Sequence, residues 1–175
     1  MISDYNPIEY LTRIQSLKYK AATVPILIVI ISFSVNLIFK IDLVKYFSLL
    51  GLLLFLFILM KYRIKRTVPS ESEEEIVLAP IHGRIIKIED NKILIKKSFL
   101  DPADIRCVTD NKNVKITITN SRITWFEKEA TLPGKLIGIV PHSAECICEL
   151  PNDYKVEIQL GQKIEAGETI IARKN

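Results

Sequence analysis

The chain has 175 residues, 49% of them apolar and 25% charged, with a mean hydropathy of +0.22 and only 6 Gly, 8 Pro and 3 Cys. This excludes a disordered or low-complexity chain, a collagen-like repeat and a disulfide framework, and the odd set Cys107, Cys146 and Cys148 fits a reducing compartment. The net charge of +4 is uneven: residues 1–66 carry nine Lys/Arg against three Asp/Glu, and residues 67–175 carry fifteen against seventeen. The positive charge therefore lies beside apolar segments, as it does near anionic lipid, and not on the folded domain, where a nucleic-acid binder would place it.

At the N-terminus, Ile8, Leu11, Ile14 and Leu17 recur every third position, with Asn6 placed as an N-cap and Pro7 at the first helical position. This pattern predicts a short amphipathic helix on a membrane surface. Residues 21–39 contain no charge, and a helix of that length spans roughly 28 Å, close to a hydrocarbon core. Residues 43–60 form a second such segment, whose one charge, Lys45, lies near its end. Only Lys40-Ile41-Asp42 separates the two, so they are expected to form an antiparallel hairpin. A cleaved signal peptide is disfavoured, because Asp4 and Glu9 precede the first segment and no small-residue cleavage pattern follows it.

Arg13, Lys18, Lys20, Lys61, Arg63, Lys65 and Arg66 flank the hairpin, against Lys40 and Lys45 in its loop. The positive-inside rule then places both ends in the cytoplasm. The group Lys61, Arg63, Lys65 and Arg66 follows the second span directly. Each of these charges is worth about 1 kcal/mol of attraction to an anionic leaflet, which makes the group a candidate lipid-headgroup site.

Beyond a polar, acidic linker the pattern changes to short Ile- and Val-rich alternations: 76–78, 84–89, 92–96, 114–119, 122–126, 136–140, 146–150, 154–160 and 169–173. Turn signals separate them, including Asp90-Asn91, Asn120-Ser121 and Pro133-Gly134. The expected fold is mainly β, a small barrel or sandwich behind a transmembrane helical hairpin, with one helical turn at 102–104. The expected division is an amphipathic segment 1–20, a hairpin 21–60, a linker 61–75 and a cytoplasmic β domain 76–175. Trp125 and Phe126 are expected in the core. Cys146 and Cys148 share one side of a strand, and with Cys107, His82 and His142 they could gather around zinc; packing as small apolar residues is the favoured reading, and no metal is expected.

Several stretches occur in a telling order: Arg66-Thr67-Val68-Pro69, Ala79-Pro80-Ile81-His82-Gly83-Arg84-Ile85, Phe99-Leu100-Asp101-Pro102-Ala103-Asp104-Ile105-Arg106, Gly138 ahead of Leu150-Pro151, and Gly161-Gln162-Lys163-Ile164-Glu165-Ala166-Gly167-Glu168-Thr169-Ile170-Ile171-Ala172. In this order, behind a hydrophobic hairpin, the chain resembles the short bacterial phosphatidylserine decarboxylases over residues 21–172. That resemblance implies an inner-membrane enzyme that cleaves its own chain before a serine, converts the serine to a pyruvoyl group and decarboxylates phosphatidylserine to phosphatidylethanolamine. A His–Asp pair handles the protons.

The positions that would carry this chemistry depart from the family pattern. His82 stands in the aspartate position, Arg106 in the histidine position, and Ser143-Ala144 in place of the Gly-Ser pair, while Asp104 keeps its family identity. Alanine has no hydroxyl to attack or leave, and a guanidinium stays protonated. The expectation is therefore a non-catalytic relative without a cofactor, with Asp104 capping a turn or pairing with Arg106. Its partner would be membrane phospholipid, or another membrane or lipid-synthesis protein. One alternative is an active divergent enzyme, with its pyruvoyl group derived from Ser143 and His82 as base. A lipoyl-like membrane adaptor and a Ser143–His–Asp104 hydrolase are weaker alternatives, the latter lacking a nucleophile-elbow pattern.

Overall fold

The computed structural model describes residues 7–65, 67, 75–111, 113–119, 122–127 and 132–174. The chain divides into two compact units, Met1–Tyr62 and Arg63–Asn175.

The first unit is a pair of helices, α1 (Pro7–Phe39) and α2 (Asp42–Lys61). The amphipathic segment and the first apolar segment, expected as separate pieces, form one helix of 33 residues, roughly 50 Å long. Its expected cap, Asn6, lies outside the described residues. The helix ends at Lys40, which turns into the left-handed region (φ 52) while its N–H bonds Asn36 O at 2.9 Å. At Gly51 the two helices approach closely. A Cβ there would lie 2.8 Å from Val29 Cγ2 and 3.1 Å from Pro25 O, so only glycine fits without a shift. Both helices reach a windowed hydropathy of 2.4, yet only 17% and 6% of those windows are buried. A core helix of a soluble protein would hide such side chains, so α1 and α2 are candidate membrane spans.

The second unit is mostly β. Its strands are β1 (Ile76–Leu78), β2 (Gly83–Glu89), β3 (Lys92–Lys97), β4 (Asp104–Arg106), β5 (Lys115–Thr119), β6 (Thr124–Trp125), β7 (Leu136–Ile139), β8 (Ala144–Glu149), β9 (Tyr154–Val156), β10 (Lys163–Ile164) and β11 (Ile170–Lys174). They form three sheets, ordered β1-β11-β9, β10-β2-β3-β8-β5 and β4-β7-β6, and none of them closes into a barrel.

Alternation explains the core. In β3, Ile93 and Ile95 point inward, and in β8, Cys146 and Cys148 do the same. Cys146 lies between Ile95 and Ile118, and Cys148 between Ile93 and Ile116. The thiols therefore pack as small apolar residues in a layer of isoleucines, each worth about 1.5–3 kcal/mol when fully buried.

Several expectations are corrected. Residues 102–104 form no helical turn: Asp104 opens strand β4, because Asp104 and Ile105 pair with Ile139 and Gly138 of β7. The strand expected at 154–160 ends at Val156, and β10 was not expected. Trp125 is not a core residue; it is 39% exposed, on the short edge strand β6. The Asn120-Ser121 turn and most of the acidic linker lie outside the described residues.

Gly83 shows how tightly β2 meets β3, since a Cβ there would lie 2.5 Å from Lys96 O, a backbone atom that cannot swing away. Gly83→Ala is expected to destabilise the β unit by about 1–3 kcal/mol. The check is the denaturant midpoint at which the buried thiols of Cys146 and Cys148 become open to alkylation in the detergent-solubilised chain.

Candidate functional site

Three separated parts of the second unit meet at one carboxylate. Asp104, at the start of β4, is fully buried. Its Oδ1 accepts from His82 Nε2 at 3.1 Å and from the Lys65 N–H at 3.3 Å, and its Oδ2 accepts from Arg106 Nε at 3.0 Å. Within β4, Asp104 and Arg106 are two apart and lie on one side of the strand. His82 enters from the β1–β2 connection, and Lys65 from the segment that opens the unit.

The outer atoms of these groups are also held. The Ala166 N–H points at His82 Nδ1 at 3.4 Å, so the network assigns Nδ1 as acceptor and Nε2 as the protonated nitrogen. Arg106 Nη1 donates to Gly134 O at 3.1 Å and Nη2 to Lys65 O at 2.6 Å. Burial pushes the Asp104 carboxyl up, but the His82 hydrogen bond, together with the Arg106 guanidinium, outweighs it and holds the group below the usual carboxylate range. With both imidazole nitrogens engaged and the guanidinium permanently charged, neither His82 nor Arg106 offers a lone pair to a substrate proton.

The residues that the resemblance singled out separate in space. His82 and Arg106 are brought together on Asp104. Ala144 is buried at the start of β8, opposite Lys97, while Ser143 and His142 are exposed just before it. A pyruvoyl group does not fit Ala144, which supplies no hydroxyl oxygen. The thiols of Cys146 and Cys148 lie in contact, and that contact and burial push the Cys146 thiol up, the reverse of what a metal-ligating or nucleophilic cysteine needs. Among the described residues no group of three His, Cys, Asp or Glu side chains is arranged to hold a metal ion.

A cavity of about 540 Å³ opens beside the network, lined in part by Arg63, Lys65, His82, Asp101, Lys163 and Glu165. Of the basic residues read from the sequence, Lys65 is taken up by ion pairs with Glu165 and with Glu168 (2.6 Å to the latter), and Thr67 Oγ1 donates to Glu168 at 3.1 Å. Arg63 and Lys163 are exposed and make no side-chain ion pair among the described residues. Lys61 ends α2 in the other unit, and Arg66 lies outside the described residues.

One functional group escaped the sequence reading. Lys97 is fully buried, and its ammonium donates to Ser98 O and Asp101 O, both at 3.1 Å, and to His142 O at 3.4 Å. Burial lowers its pKa to about 8, against the partly opposing charges of Asp101 and Asp104. The signal was present, since Lys97 continues the inward alternation of Ile93 and Ile95. Compared with models of known protein families, with curated proteins and with solved structures, the chain matches none.

Two outcomes follow from these charges. Removing Asp104 leaves a buried guanidinium unpaired, so Asp104→Ala is expected to cost about 3–5 kcal/mol. Because the folded carboxyl lies below its ordinary 3.8, its contribution is complete above that pH and is lost as the pH falls below it. Asp104→Asn should therefore flatten the acid limb of the stability curve, read from denaturant midpoints between neutral pH and pH 3. Lys97 acts in the opposite direction. Between about 8 and its ordinary 10.5 the unfolded chain binds more protons than the folded one, so this group's contribution rises with pH across that window. In denaturant midpoints taken across that alkaline window, Lys97→Met should remove the rise.

Proposed function

We propose that the chain is a phosphatidylserine decarboxylase-like integral membrane protein without decarboxylase chemistry. In this reading α1 and α2 anchor it in a bacterial-type inner membrane with both ends cytoplasmic. The β unit serves as a subunit that associates with phospholipid or with another membrane or lipid-synthesis protein.

The observation that carries the reading is the saturation of Asp104. The residues standing where the resemblance implies an acid–base pair form a closed ion network, with every nitrogen of His82 and Arg106 named above already bonded inside the protein. Ala144 supports it as well, since serine chemistry has no atom to start from there. The apolar, exposed faces of α1 and α2 support the anchor. The cavity beside the network, with Arg63 and Lys163 at its wall, supports association with an anionic group.

A second reading, an active enzyme with its pyruvoyl group at Ser143, is favoured by one contact. The Lys97 ammonium lies against the His142 carbonyl oxygen, and that is the carbonyl a Ser143 hydroxyl would have to attack. The two readings differ in covalent structure. Intact mass spectrometry of the detergent-solubilised chain is expected to give one species of 20.0 kDa. Two fragments, one ending at His142 and one starting with a carbonyl-bearing residue derived from Ser143, would overturn the non-catalytic reading and establish the second.

A further inference from the structure

We infer that the turn between β3 and β4 is a membrane-docking tip, which sets Phe99 and Leu100 into the headgroup–acyl boundary of an anionic bilayer while Arg63 and Lys163 meet its phosphates. This inference rests on the membrane reading above and names the surface of the β unit that meets the lipid.

The turn is built to present apolar side chains. Phe99 and Leu100 are 47% and 54% exposed at its apex, and apolar surface left in water is better accommodated in lipid. The loop is stiffened within itself. Asp101 N–H donates to Ser98 O at 3.2 Å, Ser98 N–H to Asp101 Oδ2 at 2.8 Å, and Leu100 N–H to Ser98 Oγ at 3.4 Å. From beneath, the Lys97 ammonium holds the Ser98 and Asp101 carbonyls and ties them to His142 O in the segment before β8. A buried lysine is a costly way to end a strand unless the turn it fixes must hold its shape.

The surroundings select the partner. Leu100 shares the wall of one cavity with Arg63 and Lys163. When the internally paired charges are set aside, Lys65 with Glu165 and Glu168 and the Asp101 carboxylate with Ser98 N–H, the side chains left to meet an outside charge are these two cations. An apolar tip flanked by cations complements an anionic lipid surface.

The test uses the full chain in phosphatidylcholine–phosphatidylglycerol vesicles. Since Cys107, Cys146 and Cys148 are buried, a thiol-reactive NBD dye is directed to one introduced cysteine at a time. Leu100→Cys reports the tip. Asp153→Cys, in the exposed β8–β9 turn beside the Lys92 end of β3, reports the opposite end of the strand, roughly 17 Å away along it. Leu53→Cys reports the middle of α2.

Lipids carrying a nitroxide on the acyl chain are expected to quench the Leu100 probe several-fold more than the Asp153 probe. The double variant Arg63→Glu, Lys163→Glu is expected to abolish that difference. Equal quenching at Leu100 and Asp153 overturns the inference. So does a blue-shifted but unquenched Leu100 probe, which would place protein, such as a second copy of the chain, over the tip. Persistence of the difference in the charge-reversed variant overturns the role of the two cations. If Leu53 is quenched and Leu100 is not, the docking tip alone fails; if Leu53 is not quenched, the membrane anchor fails and the tip with it.

Discussion

A carboxylate with no access to water must find donors or lose its charge, and Asp104 satisfies that demand with three donors from three stretches of chain. Each donor carries the constraint outward. His82 passes it to the Ala166 N–H in the β10–β11 turn, and Arg106 passes it to Gly134 ahead of β7 and to the Lys65 carbonyl. Gly167 belongs to the same arrangement: its φ of +70 and the closeness of Arg106 Cγ, 3.1 Å from where a Cβ would sit, leave room for glycine only. The residues that open the β unit are therefore fastened to its interior by backbone and side chain alike, with Arg63 O accepting from Ala103 N–H at 2.7 Å and Lys65 bridging to Glu165.

The parts of the fold that were legible in the sequence are those governed by a single period. Two apolar stretches, with Lys45 their single charge, specify two helices, and short apolar alternations, of Ile in β2, β3 and β5 and of Cys in β8, specify strands, because burial of one face needs nothing beyond the neighbouring strand. The parts that were not legible depend on partners distant in sequence. Asp104-Ile105-Arg106 has a charged residue at each end, and a reading by hydrophobicity places such a tripeptide in a loop; the structure buries all three because the two charges neutralise each other and find His82 and Lys65. Trp125 fails in the opposite sense, since its size suggests a core residue while a two-residue edge strand leaves it half out. At the site, pairing with Arg106 was one of the two roles expected of Asp104, beside capping a turn, and it is the one the structure shows. The arrival of His82 on the same carboxylate, and the capture of Lys65 by Glu165 and Glu168, were not expected.

The same groups illustrate why residue type alone does not define a catalytic site. Histidine, aspartate and arginine within bonding distance resemble an acid–base apparatus in a list of residues. Proton transfer needs a nitrogen with an open lone pair and a route to the substrate, and here the lone pair of His82 faces a backbone N–H. A guanidinium stays protonated, so Arg106 and Asp104 form an ion pair and not a proton-transfer couple. What the network supplies is rigidity in the cavity wall, since His82, Lys65 and Glu165 are both members of the bonded framework and lining residues of the cavity.

That rigid wall also has a sign. Among the described residues, two buried cations, Arg106 and Lys97, accompany one fully buried carboxylate, Asp104, and the lowered pKa of Lys97 reflects burial that the nearby carboxylates only partly relieve. Above them lie Arg63 and Lys163 at the surface. A low-dielectric interior screens poorly, so the excess of buried positive charge adds to the field at the cavity mouth instead of being absorbed by solvent. The interior charge that holds the fold together and the surface charge at the cavity wall are thus parts of one electrostatic arrangement.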